Sequence, residues 1–418
     1  MNEERTIYVY ADFLSHQNEL IGKLYASEAK GREFYSFEYD PEWLAHEPAL
    51  LDPDLQLYKG RQYVNDDKNI FGLFADSCPD QWGRLLMKRR EAIRARKADE
   101  KPKKLLESDF LLGVYDEARM GALRFKTAID GAFLSNEKDF ATPPWTSLRE
   151  LEAASAAFEN EDPHMEEKWL KQLLAPGSSL GGARPKASVM ASDGSLWIAK
   201  FPSRHDEQNT GAWEMVVHDL GLMCGLDVPE ATVEKFSGLG STFLVKRFDR
   251  DGNKRIHFSS AMTLLGKKDG ADAASGSSYL EIASFIKANG AAPKKDLLEL
   301  WKRIVFNMAV SNTDDHFRNH GFILTEAGWV LSPLYDVNPD IYGENLSLNI
   351  DDNDSSIDFD LAVAAAPYYD VSQKQANELV AEMKYIVDHN WRSAAKKYRI
   401  SRGEIERMEP AFKICEKG

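Results

Sequence analysis

The chain has 418 residues, 43% hydrophobic and 11% aromatic, which suits a sizeable core in two or three units and excludes a disordered or fibrous chain. Its formal charge of -15 excludes coating of nucleic acid by bulk electrostatics. The three cysteines are far apart, which excludes a disulfide framework or zinc knuckle and favours a reducing, cytoplasmic setting. With no apolar run of membrane-spanning length and no signal-type N-terminus, we expect a soluble protein.

Residues 1–140 are predicted to form a β-containing N-terminal subdomain. The runs IYVY, LIGKLY and EFYSFEYD are rich in aromatic and β-branched residues and predict a small antiparallel sheet. Residues 80–96 have helical composition, and GALRFKTA returns to strand character. The proline-containing ATPPW at 141–145 marks a candidate boundary.

A basic stretch lies inside this subdomain. Residues 88–104 carry nine basic and three acidic side chains. Such a stretch could contact DNA phosphate or an acidic partner, but a solvated helix face is the more ordinary interpretation.

Residues 141–265 are predicted to contain two helices at 147–158 and 165–174, a glycine-rich loop, a hairpin, a helix at 209–221 and a strand from Ser241.

In the loop, Gly181 and Gly182 would let backbone N–H groups approach phosphate, and Ser178 and Ser179 add hydroxyls. Alone this signal is weak, because GSSLGGA matches neither the Walker pattern nor the kinase glycine pattern.

Both faces of the strand SLWIAKF look buried, so Lys200 on that strand needs an anion. Glu214, in the next predicted helix, is the best carboxylate candidate, and a nucleotide phosphate is the other. The alternative is that Lys200 extends to solvent from an edge strand.

Residues 266–418 are predicted to be helical apart from a hairpin that carries the chemistry. An amphipathic helix ends near Val310, and SNTDDHFRNHGFIL and WVLSPLYDVNPD then read as a loop feeding two paired strands. Because a hairpin returns the chain to its start, Asn319 and Asp336 should lie close together. Asp314 precedes Asn319 by five positions, the interval of the protein-kinase catalytic loop. NTDD alone could instead be an Asx-rich turn.

His316 could be a metal ligand or general base, but it lacks the further ligands of a zinc site. We expect it to hydrogen-bond the loop backbone and hold Asp314 in place, as in the kinase catalytic loop. Asp315 is expected to be solvated or to support the site from behind. The acidic run 351–360 is expected to be a solvated loop, although it could meet a basic partner.

Together, SSLGGARPKASV, SLWIAKFP, FLVKRFDR, NTDDHFRNHGF and LSPLYDVNP resemble the HipA family, the serine/threonine kinase toxins of bacterial hip persistence modules. FADSCPDQWGRLLM and MGALRF resemble that family's N-terminal region. The resemblance implies an α+β, bilobal, protein-kinase-like fold that uses ATP and Mg²⁺, with an N-terminal β-rich subdomain and an all-helical C-terminal lobe outside the hairpin.

The resemblance also implies roles for individual residues. Asp314 would be the catalytic aspartate, Asn319 and Asp336 the Mg²⁺ ligands, and Lys200 the phosphate contact. The resemblance implies that Val245, Lys246 and Phe248 belong to the hinge that contacts adenine. It implies that Ser179 is the autophosphorylation site.

The family's partner is a HipB-type DNA-binding antitoxin that represses the shared operon, and its described substrate is glutamyl-tRNA synthetase. Arg184, Pro185 and Lys246 depart from the best-known member, so the behaviour of its nucleotide loop does not transfer to this chain. Because relatives choose other targets, the identity of the substrate does not follow from this sequence. Three alternatives remain: a small-molecule phosphotransferase, a catalytically silent kinase-fold scaffold or corepressor, and a metal-dependent hydrolase using the DDH cluster.

Overall fold

The computed structural model describes residues 4–46, 48–65, 67–137, 141–160, 170, 173, 182 and 184–416. The chain divides into two compact units. The first consists of Met1–Ser203 and Arg247–Ser259, and the second of Arg204–Lys246 and Ser260–Gly418. The predicted three-part division at residues 140 and 265 remains a prediction.

The strands are β1 Arg5–Phe13, β2 His16–Ala29, β3 Arg32–Tyr39, β4 Arg61–Tyr63, β5 Leu123–Lys126, β6 Lys186–Met190, β7 Leu196–Lys200, β8 Ala231–Glu234, β9 Thr242–Lys246, β10 Arg250–Asp251, β11 Lys254–Arg255, β12 Phe258–Ser260, β13 Gly321–Thr325 and β14 Gly328–Leu331. The helices are α1 Pro41–Ala45, α2 Gly72–Ala75, α3 Gln81–Lys97, α4 Glu107–Leu112, α5 Leu148–Glu159, α6 Thr210–Met223, α7 Ala261–Leu264, α8 Tyr279–Asn289, α9 Pro293–Ala309, α10 Phe359–Ala365, α11 Gln373–Lys397 and α12 Arg402–Phe412. Within the described ranges, no helix combines the length and apolarity needed to cross a bilayer.

The first unit contains the predicted N-terminal antiparallel sheet, which is confirmed. Its five strands lie in the order β4-β3-β2-β1-β5. Alternate positions of the long strands point inward, so that Ile7, Val9, Leu24 and Phe37 are fully buried. Further along the same unit, β6 and β7 form the predicted antiparallel hairpin, with Lys186 opposite Lys200.

Helix α3 contains most of the basic stretch and confirms the helix predicted at 80–96. Arg94 pairs with Glu91 at 2.8 Å and with Glu100 at 2.9 Å, and all three side chains belong to the same surface. The stretch therefore neutralises part of its own charge, in agreement with the solvated-face interpretation.

The second unit is built on helices α9 and α11. Helix α9 buries a continuous apolar face that includes Leu297, Leu300 and Ile304. Trp391 of α11 stacks on Phe412 at 4.5 Å between ring centroids. Strands β8 and β9 pair in this unit, and so do β13 and β14.

Most predicted elements of residues 141–418 are present. Helices α5 and α6 match the predictions at 147–158 and 209–221 within two residues. The helix predicted at 165–174 lies largely outside the described residues. Residues 351–358 form the expected partly exposed loop before α10.

Candidate active site

The loop after helix α9 carries the predicted catalytic residues. The helix ends at Ala309, and Ser311 turns the chain with a φ of 51°. The loop then contains a single 3-10 turn over Phe317–Asn319 before β13 begins. Because this segment is a loop, its polar side chains do not have to pack within a helix or a sheet and are available for binding or catalysis.

The hairpin returns the chain to this loop, as predicted. Phe322 pairs with Leu331 at the open end of the ladder. Beyond it, the hydroxyl of Tyr335 donates to the carbonyl of Arg318 at 2.6 Å, which joins the neighbours of Asp336 and Asn319. Asp336 has a φ of 60°, a left-handed conformation that is costly for most residues other than glycine and that, among those, Asn and Asp tolerate best.

A cavity of about 130 Å³ lies where the loop and the segment after the hairpin meet. The amide oxygen Oδ1 of Asn338 is buried there without a hydrogen-bond partner. Carboxylate and amide oxygens are the ligands that Mg²⁺ prefers, so the donor set of this cavity fits a hydrated Mg²⁺ ion. The lining residues are Asn312, Thr313, Asp314, Asp336, Asn338, Pro339 and Asp340.

Asp314 is the exposed carboxylate of the loop. Its backbone carbonyl accepts a hydrogen bond of 2.7 Å from the Nδ2 group of Asn319. This bond holds together the two residues that the five-residue interval singled out. Partial desolvation raises the pKa of Asp314, and the negative charges of Asp336 and Asp340 raise it further against the opposing effect of His316. The carboxylate is therefore more basic than an ordinary aspartate.

Asp315 is buried, so the expectation that it is solvated is wrong and the supporting role is correct. Its Oδ2 atom accepts hydrogen bonds from the Tyr279 hydroxyl at 2.7 Å and Asn307 Nδ2 at 2.7 Å, and pairs with His320 Nε2 at 2.9 Å. Burial alone would raise the pKa of Asp315, but the interactions with His320 and Tyr279 hold it below its ordinary value. Asp315 thus fixes the loop from inside.

A row of asparagines extends this support toward the cavity. Asn307 Oδ1 accepts from Asn312 Nδ2 at 3.0 Å, and Asn312 Oδ1 accepts from the backbone N–H of Asn338 at 3.3 Å. On the other side, the Thr313 hydroxyl donates to Asp340 Oδ2 at 2.8 Å. The loop and the segment after the hairpin are therefore tied by side-chain hydrogen bonds at two points.

The hydrogen bond predicted from His316 to the loop backbone is not made by its Nδ1 atom. That atom is buried without a hydrogen-bond partner. The histidine that anchors the loop is His320, four residues later, through Asp315. His316 acts on Asp314 electrostatically: it favours the charged carboxylate and so lowers the pKa of Asp314.

The predicted nucleotide-binding residues are distributed over both units. Lys200 ends β7 in the first unit and is 8% exposed. Glu214 lies on α6 in the second unit and is 4% exposed. Both side chains are buried, as expected for an ion pair or a phosphate contact.

The glycine-rich loop is only partly described, whereas every residue of the implied hinge is described. Ser178, Ser179 and Gly181 lie outside the described residues. The carbonyl of Gly182 accepts a hydrogen bond from Lys186 Nζ at 2.9 Å.

At the hinge, Val245 and Lys246 end strand β9, and the backbone N–H of Lys246 donates to the carbonyl of Glu230 at 2.8 Å. Phe248 lies 5.9 Å from Phe258 between ring centroids. The chain passes from the second unit to the first between Lys246 and Arg247.

Sequence reasoning missed a buried ion pair that anchors the strand after the glycine-rich loop. Lys186 Nζ lies 2.6 Å from Asp80 Oδ2, and both side chains are 3% exposed. The other oxygen of Asp80 caps helix α3 by accepting from the N–H of Gly83 at 2.8 Å. Trp82 Nε1 donates to the Lys186 carbonyl at 3.1 Å. The PDQWGR motif was a usable signal, but its partner is 106 residues away.

A second missed cluster surrounds Asp249, just after the hinge. This buried carboxylate pairs with Arg247 at 2.6 Å and Arg250 at 2.7 Å, and accepts from the N–H of Gly121 at 2.8 Å. Burial would raise the pKa of Asp249, but the two arginines hold it well below its ordinary value. Residues 247–250 of the KRFDR motif and Gly121 of the MGALRF motif therefore form one internal contact of the first unit.

These features define a class before any relative is considered. The α+β architecture, the buried strand lysine and the loop and hairpin aspartates are those of a protein-kinase-like fold. Two family models match the chain: the HipA N-terminal domain over residues 14–126 and the HipA-like C-terminal domain over residues 178–391, half of the chain. The chain belongs to the HipA family.

Individual relatives agree with this assignment. The chain is 27% identical over 246 residues to the serine/threonine-protein kinase toxin HipA of Shewanella oneidensis, covering 50% of this chain and 54% of that protein. It is 31% identical over 182 residues to a Sinorhizobium fredii protein named "Putative kinase Y4mE", covering 38% of this chain and 41% of that protein. The matches therefore span about half the length of these relatives.

The fold is also that of a solved relative. A chain in the structure of the Shewanella oneidensis MR-1 toxin-antitoxin complex of HipA, HipB and operator DNA superposes with a TM-score of 0.65 and 17% identity. The superposition covers 98% of this chain and 97% of that chain. This likeness establishes the kinase-like α+β fold.

Proposed function

We propose that the protein is an ATP- and Mg²⁺-dependent serine/threonine protein kinase and the toxin of a HipBA-like toxin-antitoxin system. The observation that carries the proposal is the cavity between the loop and the segment after the hairpin, where Asp314 and Asp336 line the same space. Kinase catalysis depends mainly on placing groups and stabilising charge, and this cavity offers a basic carboxylate beside metal-type oxygen ligands.

In this proposal each loop residue has one task. Asp314 accepts a hydrogen bond from the acceptor hydroxyl and takes its proton, a task favoured by its raised pKa. Asn319 and Asp336 hold Mg²⁺, and the Asn338 amide oxygen is suited to support them. Bound Mg²⁺ would offset the negative charge of the ATP phosphates.

The remaining predicted residues bind the nucleotide. Lys200 contacts phosphate, Glu214 is assigned to the nucleotide site, and the 178–182 loop contacts the phosphates with backbone N–H groups. The backbone from Val245 to Phe248 contacts adenine. Ser179 is the autophosphorylation site, and its added charge would expel the loop and switch the enzyme off.

The cellular setting follows from the family. The solved relative comes from a complex of HipA, HipB and operator DNA. By analogy, this chain would bind a HipB-like DNA-binding antitoxin in the cytoplasm and contact DNA mainly through it, acting as corepressor. An aminoacyl-tRNA synthetase is the substrate class the family suggests.

The test is phosphoryl transfer from γ-labelled ATP with Mg²⁺, run with the protein alone, with a cell lysate and with the lysate's small-molecule fraction. Phosphosites are mapped by mass spectrometry. The expected result is label on Ser179 and on a lysate protein that appears only when the wild-type protein is present. Label on a metabolite would establish a small-molecule phosphotransferase, and ATP binding without transfer would establish the silent scaffold.

A further inference from the structure

Three potential metal ligands converge at the tip of the β1–β2 hairpin, in the first unit. His16 Nδ1 lies 2.6 Å from Glu19 Oε2, and His46 Nδ1 lies 2.8 Å from Glu19 Oε1. All the ligand atoms lie within 4.8 Å of one another. Among the described residues this is the one His, Cys, Asp and Glu group that meets such a spacing.

A β-bulge brings two of the ligands onto one face. In a regular strand, residues three positions apart point to opposite faces. Here Asn18, with a φ of 55°, is an extra residue in β2, so that His16 lies opposite Phe13 and Glu19 opposite Ala11. Because Phe13 and Ala11 are two positions apart on β1, His16 and Glu19 share one face.

The third ligand comes from a separate element that is fixed in place. His46 is the C-cap residue of α1, a helix that starts with Pro41 after an Asp40 N-cap. Trp43 of this helix packs on the His16 ring, with 4.7 Å between ring centroids. Packing against Trp43 therefore positions the His16 imidazole, and the capped helix positions the backbone of His46, before any ion binds.

The cluster is also open to solvent. The side chains of His16, Glu19 and His46 are 20%, 29% and 55% exposed. An ion could enter without unfolding, and water could complete its coordination.

The ligand types select the ion. Two imidazole nitrogens and one carboxylate oxygen suit Zn²⁺ and similar transition metals, whereas Mg²⁺ and Ca²⁺ prefer oxygen ligands alone. In a tetrahedral Zn²⁺ site the ligand atoms are about 3.4 Å apart, within reach of small side-chain rotations here. We propose that His16, Glu19 and His46 form a site for a Zn²⁺-type divalent metal ion that cross-links the β1–β2 hairpin to α1.

This site lies outside the predicted phosphotransfer residues and does not depend on the proposed function. Bound metal would stabilise the folded first unit, because the three ligands are brought together only in the folded state.

The experiment is a calorimetric titration of chelator-treated, full-length protein with Zn²⁺, in excess Mg²⁺ to saturate oxygen-only sites. We expect one saturable Zn²⁺ ion per chain, at least about tenfold weaker binding in Glu19→Gln and His46→Ala, and a Zn²⁺-dependent rise in Tm that both variants lose. Circular dichroism would verify that the variants fold.

His389→Ala is the matched control. His389 is as exposed as His46, at 55%, and also lies beside a carboxylate, but it belongs to no three-ligand group among the described residues. Binding that persists unchanged in Glu19→Gln and His46→Ala, or no saturable binding by wild type, would overturn the proposal and leave an ordinary hydrogen-bonded cluster. Loss of binding in His389→Ala would overturn it equally.

Discussion

Two sets of carboxylates, one in each unit, have different surroundings. In the first unit, Asp80 and Asp249 each face a cation at 2.6 Å, and both pairs are almost fully buried. In the second unit, Asp314 lines a cavity with two further carboxylates, and their charges raise its pKa. Removing one member of a buried pair of opposite charges destabilises a fold, whereas like charges crowded at a cavity indicate a place for a cation and for proton transfer.

The contrast recurs within the loop itself. Asp314 and Asp315 are neighbours in sequence, yet only Asp315 is buried and bonded by three side chains. The loop therefore separates the two tasks, with one carboxylate holding the backbone and the other presented at the cavity.

The largest effect on stability is expected at the first unit's ion pair. Asp80→Ala leaves Lys186 buried without its carboxylate and should lower the free energy of unfolding by about 3–5 kcal/mol in denaturant titrations. Glu100→Ala breaks an exposed pair instead and should change it by less than about 1 kcal/mol.

The double variant Asp80→Ala/Lys186→Met removes both charges and should recover part of the loss. Equal losses in Asp80→Ala and Glu100→Ala would remove the distinction between buried and exposed pairs in this unit.

Asp336→Asn should remove a negative charge from the cavity without unfolding the protein. Asparagine tolerates the φ of 60° at this position but has no charge, so phosphoryl transfer should fall by about 100-fold, equivalent to about 2.7 kcal/mol. Raising the Mg²⁺ concentration should restore part of the rate. The control Asp352→Asn, on an exposed loop, should behave as wild type.

Asp315→Asn should lower stability by about 1–3 kcal/mol, because three hydrogen bonds lose their charged acceptor. The pKa of Asp315 is lowered in the folded state, so its contribution is present above its ordinary pKa of about 3.9 and is lost as pH falls through the lower folded value. The difference between wild type and variant should hold at neutral pH and shrink below about pH 4 in urea titrations. A pH-independent difference would contradict this assignment.

The smallest effect is expected at Asp340. The negative charge of Asp340 helps to raise the pKa of Asp314. Because Asp314 must be deprotonated to accept a proton, the rate should fall as pH drops through that raised pKa. Asp340→Asn removes one negative charge and should move the acid limb of the pH–rate profile to lower pH. An unmoved limb would show that Asp314 does not sense this neighbour.

Local patterns predicted much of the fold and the central residues of the site. The apolar periodicity of α9 and the strand–turn–strand pattern after it predicted the hairpin, and the five-residue interval singled out Asp314 and Asn319. These features depend on short-range geometry, which sequence spacing reports well.

Contacts between distant residues could not be predicted in this way. Which carboxylate of the Asp314–Asp315 pair turns inward depends on Tyr279, 36 residues upstream of Asp315. The partner of Lys186 is 106 residues away, and no local rule selects it. Long-range burial decides these roles, and a single sequence does not report it.

We propose that Asp314 acts in phosphoryl transfer and does not support the fold. The most direct test of this proposal is the rate of label transfer from γ-labelled ATP by wild type and Asp314→Asn, with denaturant unfolding of both. We expect Asp314→Asn to lower the rate by about 10²–10⁴-fold and to leave the unfolding midpoint unchanged. Transfer by Asp314→Asn at the wild-type rate would contradict it.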